Sequence, residues 1–387
     1  MKLKNYFYKI FCIALLAFLI TLSNKSYFVS GENSKLRIIQ DTTVVNVCLM
    51  FAGDVMQHMP QICSAYDSVE KTYNYYKCFQ FIKPLLERSD VAIANFESTL
   101  GNKPYSGYPQ FSCPDDLAKA LNDVGFKILL TANNHCLDKS QNGLQRTIKV
   151  MDSLKIAHLG TYIDSTSRCQ NYPFVLNVKG IKIALLNCTS TTNKLTAVSP
   201  NIVNYTDTSE IKKDIYKIKQ SKPDFMIMFV HWGNEYEQTP SNEQKKFAEF
   251  CFSNGIGLII GSHPHVLQPI NEIKVNYQNK QKNCVVYYSL GNFVSNQRER
   301  YKNGGIIAEV NIKKDLKKDS AYISTYGYYP TYVHKEMSSS KTNFYILPVK
   351  NIQKDTINIK FSPSDKKQLE TFIEDTRELL GLQLELK

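Results

Sequence analysis

Short apolar runs recur along this chain, alternate with stretches of helical periodicity, and stop one after another at polar residues able to hold a metal. Residues 44–51 (VVNVCLMF) read as a buried strand and run into Gly53-Asp54. Residues 91–94 lead into Asn95-Phe96-Glu97, residues 126–131 into Asn133-Asn134-His135, residues 224–230 into His231, and residues 256–260 into Ser262-His263-Pro264-His265. Residues 181–188 and 284–288 are further strands. Between them, 112–124 reads as a helix, and 143–154 places Leu144, Ile148, Met151 and Leu154 on one helix face. Ser241 with Gln244 forms a capping box for a helix reaching about Ser253. Strands alternating with helices predict a layered α/β fold, and in such sheets ligands gather beyond the strand ends.

One polar strand ending is noise, but the succession is not. Asp54, Glu97, Asn134, His231, His263 and His265 offer carboxylates, a carboxamide oxygen and imidazoles, a donor set suited to divalent Mn, Zn or Fe. Two carboxylates with several histidines suggest one or two ions, and two would stabilise in-line attack at phosphorus. Pro264 holds His263 out of the helical region. In an extended segment, positions two apart project to the same side, so both imidazoles would reach adjacent ions. His58, four residues after Asp54, either ligates, orients a phosphate or is solvated. His158 and His334 carry no assigned role.

Composition bounds the setting. With 43% hydrophobic and 21% charged residues among 387, the chain has enough apolar material for a full core, and disorder is excluded. Lys2, Lys4 and Lys9 precede an uncharged apolar run at 10–22, the only continuous one, which excludes a polytopic membrane protein. Residues 1–30 read as a signal peptide or signal anchor and 31–43 as a linker, so the rest is expected to be extracytoplasmic, either tethered by an uncleaved N-terminal segment or secreted. Lys+Arg 47 against Asp+Glu 35 gives +12, which favours polyanions. The lysines are scattered, so nucleic acid is not an expected partner. Of the ten cysteines, Cys48, Cys188 and Cys284 sit in strand-like runs as small hydrophobes. Cys63, Cys78 and Cys113 lie in polar contexts and would pair in an oxidising compartment. Past about Gly304 the pattern turns β-rich. A helix opening at Ser364 then carries Leu369, Phe372, Ile373, Thr376, Leu379 and Leu380 on one stripe and closes at Gly381. The expected division is a domain at 44–312 with a β-rich and helical C-terminal extension at 313–387.

Six ordered stretches, FAGD (51–54), ANFE (94–97), ANNHCLD (132–138), HWGNEY (231–236), GSHPH (261–265) and YSLGNF (288–293), resemble the CapA family of poly-gamma-glutamate capsule synthesis proteins, over about residues 44–310. That family is similar to the calcineurin-like metallophosphoesterases, so the resemblance implies a metallophosphatase-like four-layer α/β/β/α sandwich. It also implies roles for individual residues. Asp54 would be a first-metal ligand and Glu97 would take the bridging place. Asn134 and His231 would hold the second metal, His263 and His265 would be divided between the two, and His135 would be the general acid or transition-state stabiliser. Four positions depart from the phosphoesterase or family pattern. Asp54-Val55-Met56 stands for Asp-x-His unless His58 substitutes, Glu97 for an Asp, Asn133 for a Gly, and Ser262 where relatives often carry His. Glu235, Tyr236, Asn292 and Phe293 would line the cleft, with the Asn292 amide orienting a substrate oxyanion. Two functions follow as expectations. One is a metal-dependent hydrolase of phosphoester bonds in surface-polymer synthesis. The other is a non-catalytic, membrane-tethered accessory protein that binds an anionic polymer beside membrane-bound synthesis partners.

Overall fold

In β1 (Val44–Val55) the side chains divide by parity. Val47, Leu49 and Phe51 enter one apolar cluster, and Met50 and Ala52 enter another on the opposite face. This two-sided burial is what a strand inside a layered sandwich requires. The computed structural model describes residues 43–337, 341–354 and 357–386. The expected signal or anchor at 1–30, and all of the expected linker at 31–43 except Thr43, lie outside the described residues.

The remaining strands of the two large sheets, in chain order, are β2 (Val91–Asn95), β3 (Phe126–Leu130), β4 (Ala157–Leu159), β5 (Phe174–Val178), β6 (Ile181–Thr189), β7 (Phe225–His231), β8 (Leu258–Ser262), β9 (Leu267–Tyr277), β10 (Lys280–Leu290), β11 (Asn292–Val294), β12 (Gly304–Asp315), β13 (Ser320–Met337) and β14 (Thr342–Pro348). They build two mixed sheets. The first runs β14-β13-β12-β1-β2-β3-β4, with β11 beside the end of β1, and the second runs β9-β10-β8-β7-β6-β5. The sheets face each other, and the rings of Phe51 on β1 and Phe229 on β7 lie 5.6 Å apart across the gap. Helices Met59–Ala65 and Asp116–Val124 pack with Met50, Ala52, Ala92 and Ala94 on the outside of the first sheet. Helices Thr208–Gln220 and Asn242–Ser253 bring Ile211, Ile215, Ile218, Ala248, Cys251 and Phe252 to the core of the second. The result is the four-layer α/β/β/α sandwich. Every residue of β7 is buried, because both of its faces are covered.

Several boundaries differ from expectation. The division at 312/313 falls inside β12. That strand pairs antiparallel with β1 along its length, and β13 and β14 complete the same sheet, so 313–348 is no appendage. The helix expected from Ser112 begins at Asp116, because Ser112 is engaged in a bridge with Ser106. The last helix, Pro363–Leu380, starts one residue early. Ser362 caps it by accepting the Asp365 N–H, and Gly381 ends it at φ 82°. Its Leu369, Phe372 and Ile373 pack on Tyr332 and Val349. The nine described cysteines are all free. Cys78 and Cys113, expected to be available for pairing, are buried in the apolar cluster of the first sheet, and burial pushes both thiols up to about 12. Among the described residues no helix is long and apolar enough to cross a membrane.

Candidate metal centre

The ends of β1, β7 and β8 and the turns after β2, β3 and β8 converge on one buried spot. Asp54 reaches it because β1 runs hard against the turn before β11. A Cβ on Gly53 would collide with the Gly291 carbonyl, so only glycine fits there. Asp54 is buried and saturated with hydrogen bonds. Its Oδ1 accepts Asn95 Nδ2 at 2.8 Å, its Oδ2 lies 3.0 Å from His265 Nδ1, and the His263 N–H points at both oxygens from 3.3–3.4 Å. Glu97 is equally buried, but neither of its oxygens has a hydrogen-bond partner. Its Oε1 lies 3.6 Å from both His231 Nε2 and His265 Nε2. His263 Nδ1 is a third buried atom without a partner. Buried polar atoms are almost always satisfied, so three orphans facing one another mark a place built for something else.

The electrostatics agree. Burial, then the Asp54 and Glu235 carboxylates, push Glu97 well above the usual carboxylate range. Burial pushes His231 well below the usual histidine range and His263 down to about 4. An added cation would offset the Glu97 penalty, and the neutral imidazole that burial favours is the form that ligates. The histidine tautomers are ready for it. His231 Nε2 lies 2.9 Å from Asn134 Oδ1, while its Nδ1 receives Asn95 Nδ2 at 3.3 Å and lies 3.1 Å from Ser262 Oγ. Moving the ring proton to Nδ1, where Ser262 Oγ accepts it, frees Nε2 to ligate. Glu97, His263 and His265 bring one ligand atom each within 4.8 Å of one another, as do Asp54, Glu97 and His231. Glu97 is common to both groups. Oxygen and imidazole donors of this kind fit Mn, Zn or Fe.

All six expected ligands therefore come together, but the paired-histidine segment is not extended. His263 has φ 100° and His265 φ 58°. The chain bends because the Asp54 carboxylate takes the His263 N–H, and the two rings end 6.0 Å apart. His135 sits beside the centre. Its Nδ1 is 2.8 Å from Asp138 Oδ2, and its ring packs 4.5 Å from Phe111. The Phe111 N–H donates to the same Asp138 oxygen at 2.6 Å.

The lesser candidates divide. His58 joins neither ligand group. It precedes helix Met59–Ala65, its Nδ1 accepts the Asn296 N–H at 3.3 Å, and its ring lies against Phe111. Burial pushes it down to about 4, with His265 and His135 adding to the shift, so it is a neutral imidazole beside the cleft. The Asn292 amide is not free for an oxyanion, since its Nδ2 donates to Gln297 Oε1 and to the Lys302 carbonyl, both at 2.8 Å. It braces the 297–302 turn. Phe293 faces away from the centre and stacks on Phe79 in the helix-side core. Glu235 is exposed at the rim. Asn95 and Asp138 were not singled out by sequence, and Ser262 only as a departure from the family pattern, although each lies in a motif. Only their placement next to Asp54, His135 and His231 reveals what they hold.

The family model described as bacterial capsule synthesis protein PGA_cap matches residues 48–297. The PGA biosynthesis protein CapA of Bacillus subtilis (strain 168) is 26% identical over 292 residues, which cover 74% of this chain and 72% of that protein. The capsule biosynthesis protein CapA of Bacillus anthracis is 28% identical over 263 residues, 64% of this chain and 60% of that protein. Among solved structures, the NAD nucleotidase of Haemophilus influenzae superposes with a TM-score of 0.48 at 14% identity, over 87% of this chain and 68% of that one.

Proposed function

This chain belongs to the bacterial capsule synthesis protein family PGA_cap, and from that premise we propose that it is a metal-dependent hydrolase of phosphoester bonds, working outside the cytoplasm in the assembly or release of a surface polymer beside membrane-bound synthesis proteins. The observation that supports this most is the set of orphaned atoms, Glu97 Oε1 and Oε2 and His263 Nδ1, inside a ring of oxygen and nitrogen donors. Asp54, Glu97, Asn134, His231, His263 and His265 would hold one or two ions. When bound, the ion supplies an acidified water and positive charge toward the phosphoryl oxygens.

The chain's own residues do the rest. Asp138 holds His135 through Nδ1, leaving Nε2 to pass a proton. As a water oxygen bonds to phosphorus and loses one proton to solvent, the bond to the leaving alcohol breaks, and doubly protonated His135 gives that oxygen the proton on Nε2, which it regains from solvent. Phe111 walls the ring from solvent and keeps its orientation. The test joins elemental analysis to turnover. Purified protein should carry or take up one or two equivalents of Mn²⁺, Zn²⁺ or Fe²⁺ and hydrolyse an aryl phosphodiester, and His263→Ala should lose both metal and activity. Failure to take up any metal would end this reading. The +12 charge favours a second reading, binding of an anionic polymer as an accessory protein. Salt-sensitive retention of polyglutamate that survives chelation would select it.

A further inference from the structure

One carboxylate at the rim of the centre is left unused by the hydrolysis itself. Glu235 stands in the turn after β7, and the residue beside it is pinned to the metal-side chain. Tyr236 has φ 69°, and its N–H donates to the Pro264 carbonyl at 2.7 Å, between the two histidines of the bend. Its ring lies 6.1 Å from His265. Its hydroxyl receives Gln297 Nε2 at 3.3 Å, and burial, then the Glu235 charge, pushes it up to about 12. Gln297 is held in turn by Asn292, whose backbone pairs with Asp54. Glu235 is therefore an exposed acid on a fixed mount. Its charge reaches inward, to Glu97 and to His263. The charged neighbours that act on Glu97 are Asp54, Glu235 and Asp138, all acids. The Lys302 ammonium over the Tyr236 ring (4.1 Å) is already paired with Glu299 (3.2 Å).

We infer that Glu235 makes this cleft select a phosphodiester, which carries one negative charge, over a phosphomonoester, which carries two, so that the substrate is an internal linkage of a chain rather than a terminal phosphate. This rests on the hydrolase reading above. Any bound ion attracts both esters, but only the monoester brings a second charge near neutral pH, and it brings it to a mouth where, among the described residues, no Lys or Arg is paired with the Glu235 carboxylate. Repulsion between charges at the protein surface is screened by water and salt, which leaves an effect of roughly tenfold in specificity.

The experiment compares bis(4-nitrophenyl) phosphate with 4-nitrophenyl phosphate on the full-length, manganese-loaded protein, by kcat/KM, for the wild type, Glu235→Gln and Glu235→Asp. The wild type should prefer the diester. Glu235→Gln should raise the monoester-to-diester ratio about tenfold, and Glu235→Asp, which keeps the charge, should not. A wild-type preference for the monoester, or a ratio that Glu235→Gln leaves in place, overturns the inference. If neither ester turns over, the hydrolase reading fails, and calorimetry still reads the charge filter. Glu235→Gln should then tighten binding of inorganic phosphate by more than it tightens dimethyl phosphate, and an equal change in the two overturns it.

Discussion

The unpartnered Glu97 makes a prediction about stability that needs no substrate. In the metal-free protein its folded pKa lies well above the ordinary 4.5, chiefly through burial. The unfolded chain then releases this proton at lower pH than the folded one. Stability is full below the unfolded value and falls as pH rises toward the folded one, at up to about 1.4 kcal/mol per pH unit. His58, His231 and His263 act with the opposite sign. Their folded pKa values lie below the ordinary 6.5, so the unfolded chain takes up their protons first, and stability rises with pH until about 6.5. Three imidazoles against one carboxyl give a net rise up to that point. Above it, only Glu97 still contributes among these four, and the metal-free wild type should lose stability as pH rises toward the folded Glu97 value, at up to about 1.4 kcal/mol per pH unit. The assay is urea unfolding of chelator-treated protein across this range, set against Glu97→Gln. The variant is isosteric and cannot ionise, so it should stay flat above about pH 6.5. Metal should restore the wild type by mass action and leave the variant nearly unmoved. If the two metal-free curves run parallel above pH 6.5, Glu97 is not an uncompensated buried carboxyl, and the case for a cation between the donors loses its main support.

Asp138→Asn should leave metal content intact and lower kcat by about 10²–10⁴, because the carboxylate charge that steadies protonated His135 is lost; single-turnover rates beside elemental analysis separate the two effects. Cysteine labelling without denaturant should modify Cys63 and Cys169, which are exposed, and spare Cys78 and Cys113, whose thiols are buried and pushed up to about 12; mass spectrometry of the labelled peptides reads the pattern.

The ligands were legible in the sequence because a strand end has a fixed place in an α/β sheet. Apolar runs that terminate in Asp54, His231 and Ser262 had to deliver those residues to one edge, whatever the turns did. What the sequence hid depended on backbone direction at single residues. An extended His263-Pro264-His265 was the natural reading of a proline flanked by histidines, yet both histidines take positive φ, because the Asp54 carboxylate captures an N–H that no local pattern announces. Cys78 and Cys113 misled for a related reason. Their neighbours in sequence are polar, but the helix and turn that carry them point the thiols into the apolar layer behind the first sheet. The division at 312/313 failed because a change in composition at the surface of β12 to β14 does not interrupt a ladder whose first strand, β12, pairs with β1.

The departure at Met56 ties these threads together. Where a phosphoesterase-type Asp-x-His would supply an imidazole, Met56 is buried in the core behind the first sheet, and His58 stays at the edge of the cleft. The space beside Asp54 is filled instead by the amide of Asn95, which donates to Oδ1 while His265 engages Oδ2. Asp54 therefore has its charge balanced by hydrogen bonds before any ion arrives. Glu97 and His263 do not. The two halves of the centre are unequal, and the difference comes from which buried atoms remain unpaired, since the number of donors is similar. An incoming cation relieves the largest uncompensated penalties around Glu97, next to Asn134, His231 and His263, and must displace existing hydrogen bonds to engage Asp54. Occupancy on the Asp54 side would therefore be the part of this chemistry most sensitive to metal concentration, because there an ion would compete with Asn95 and His265 for oxygens they already hold.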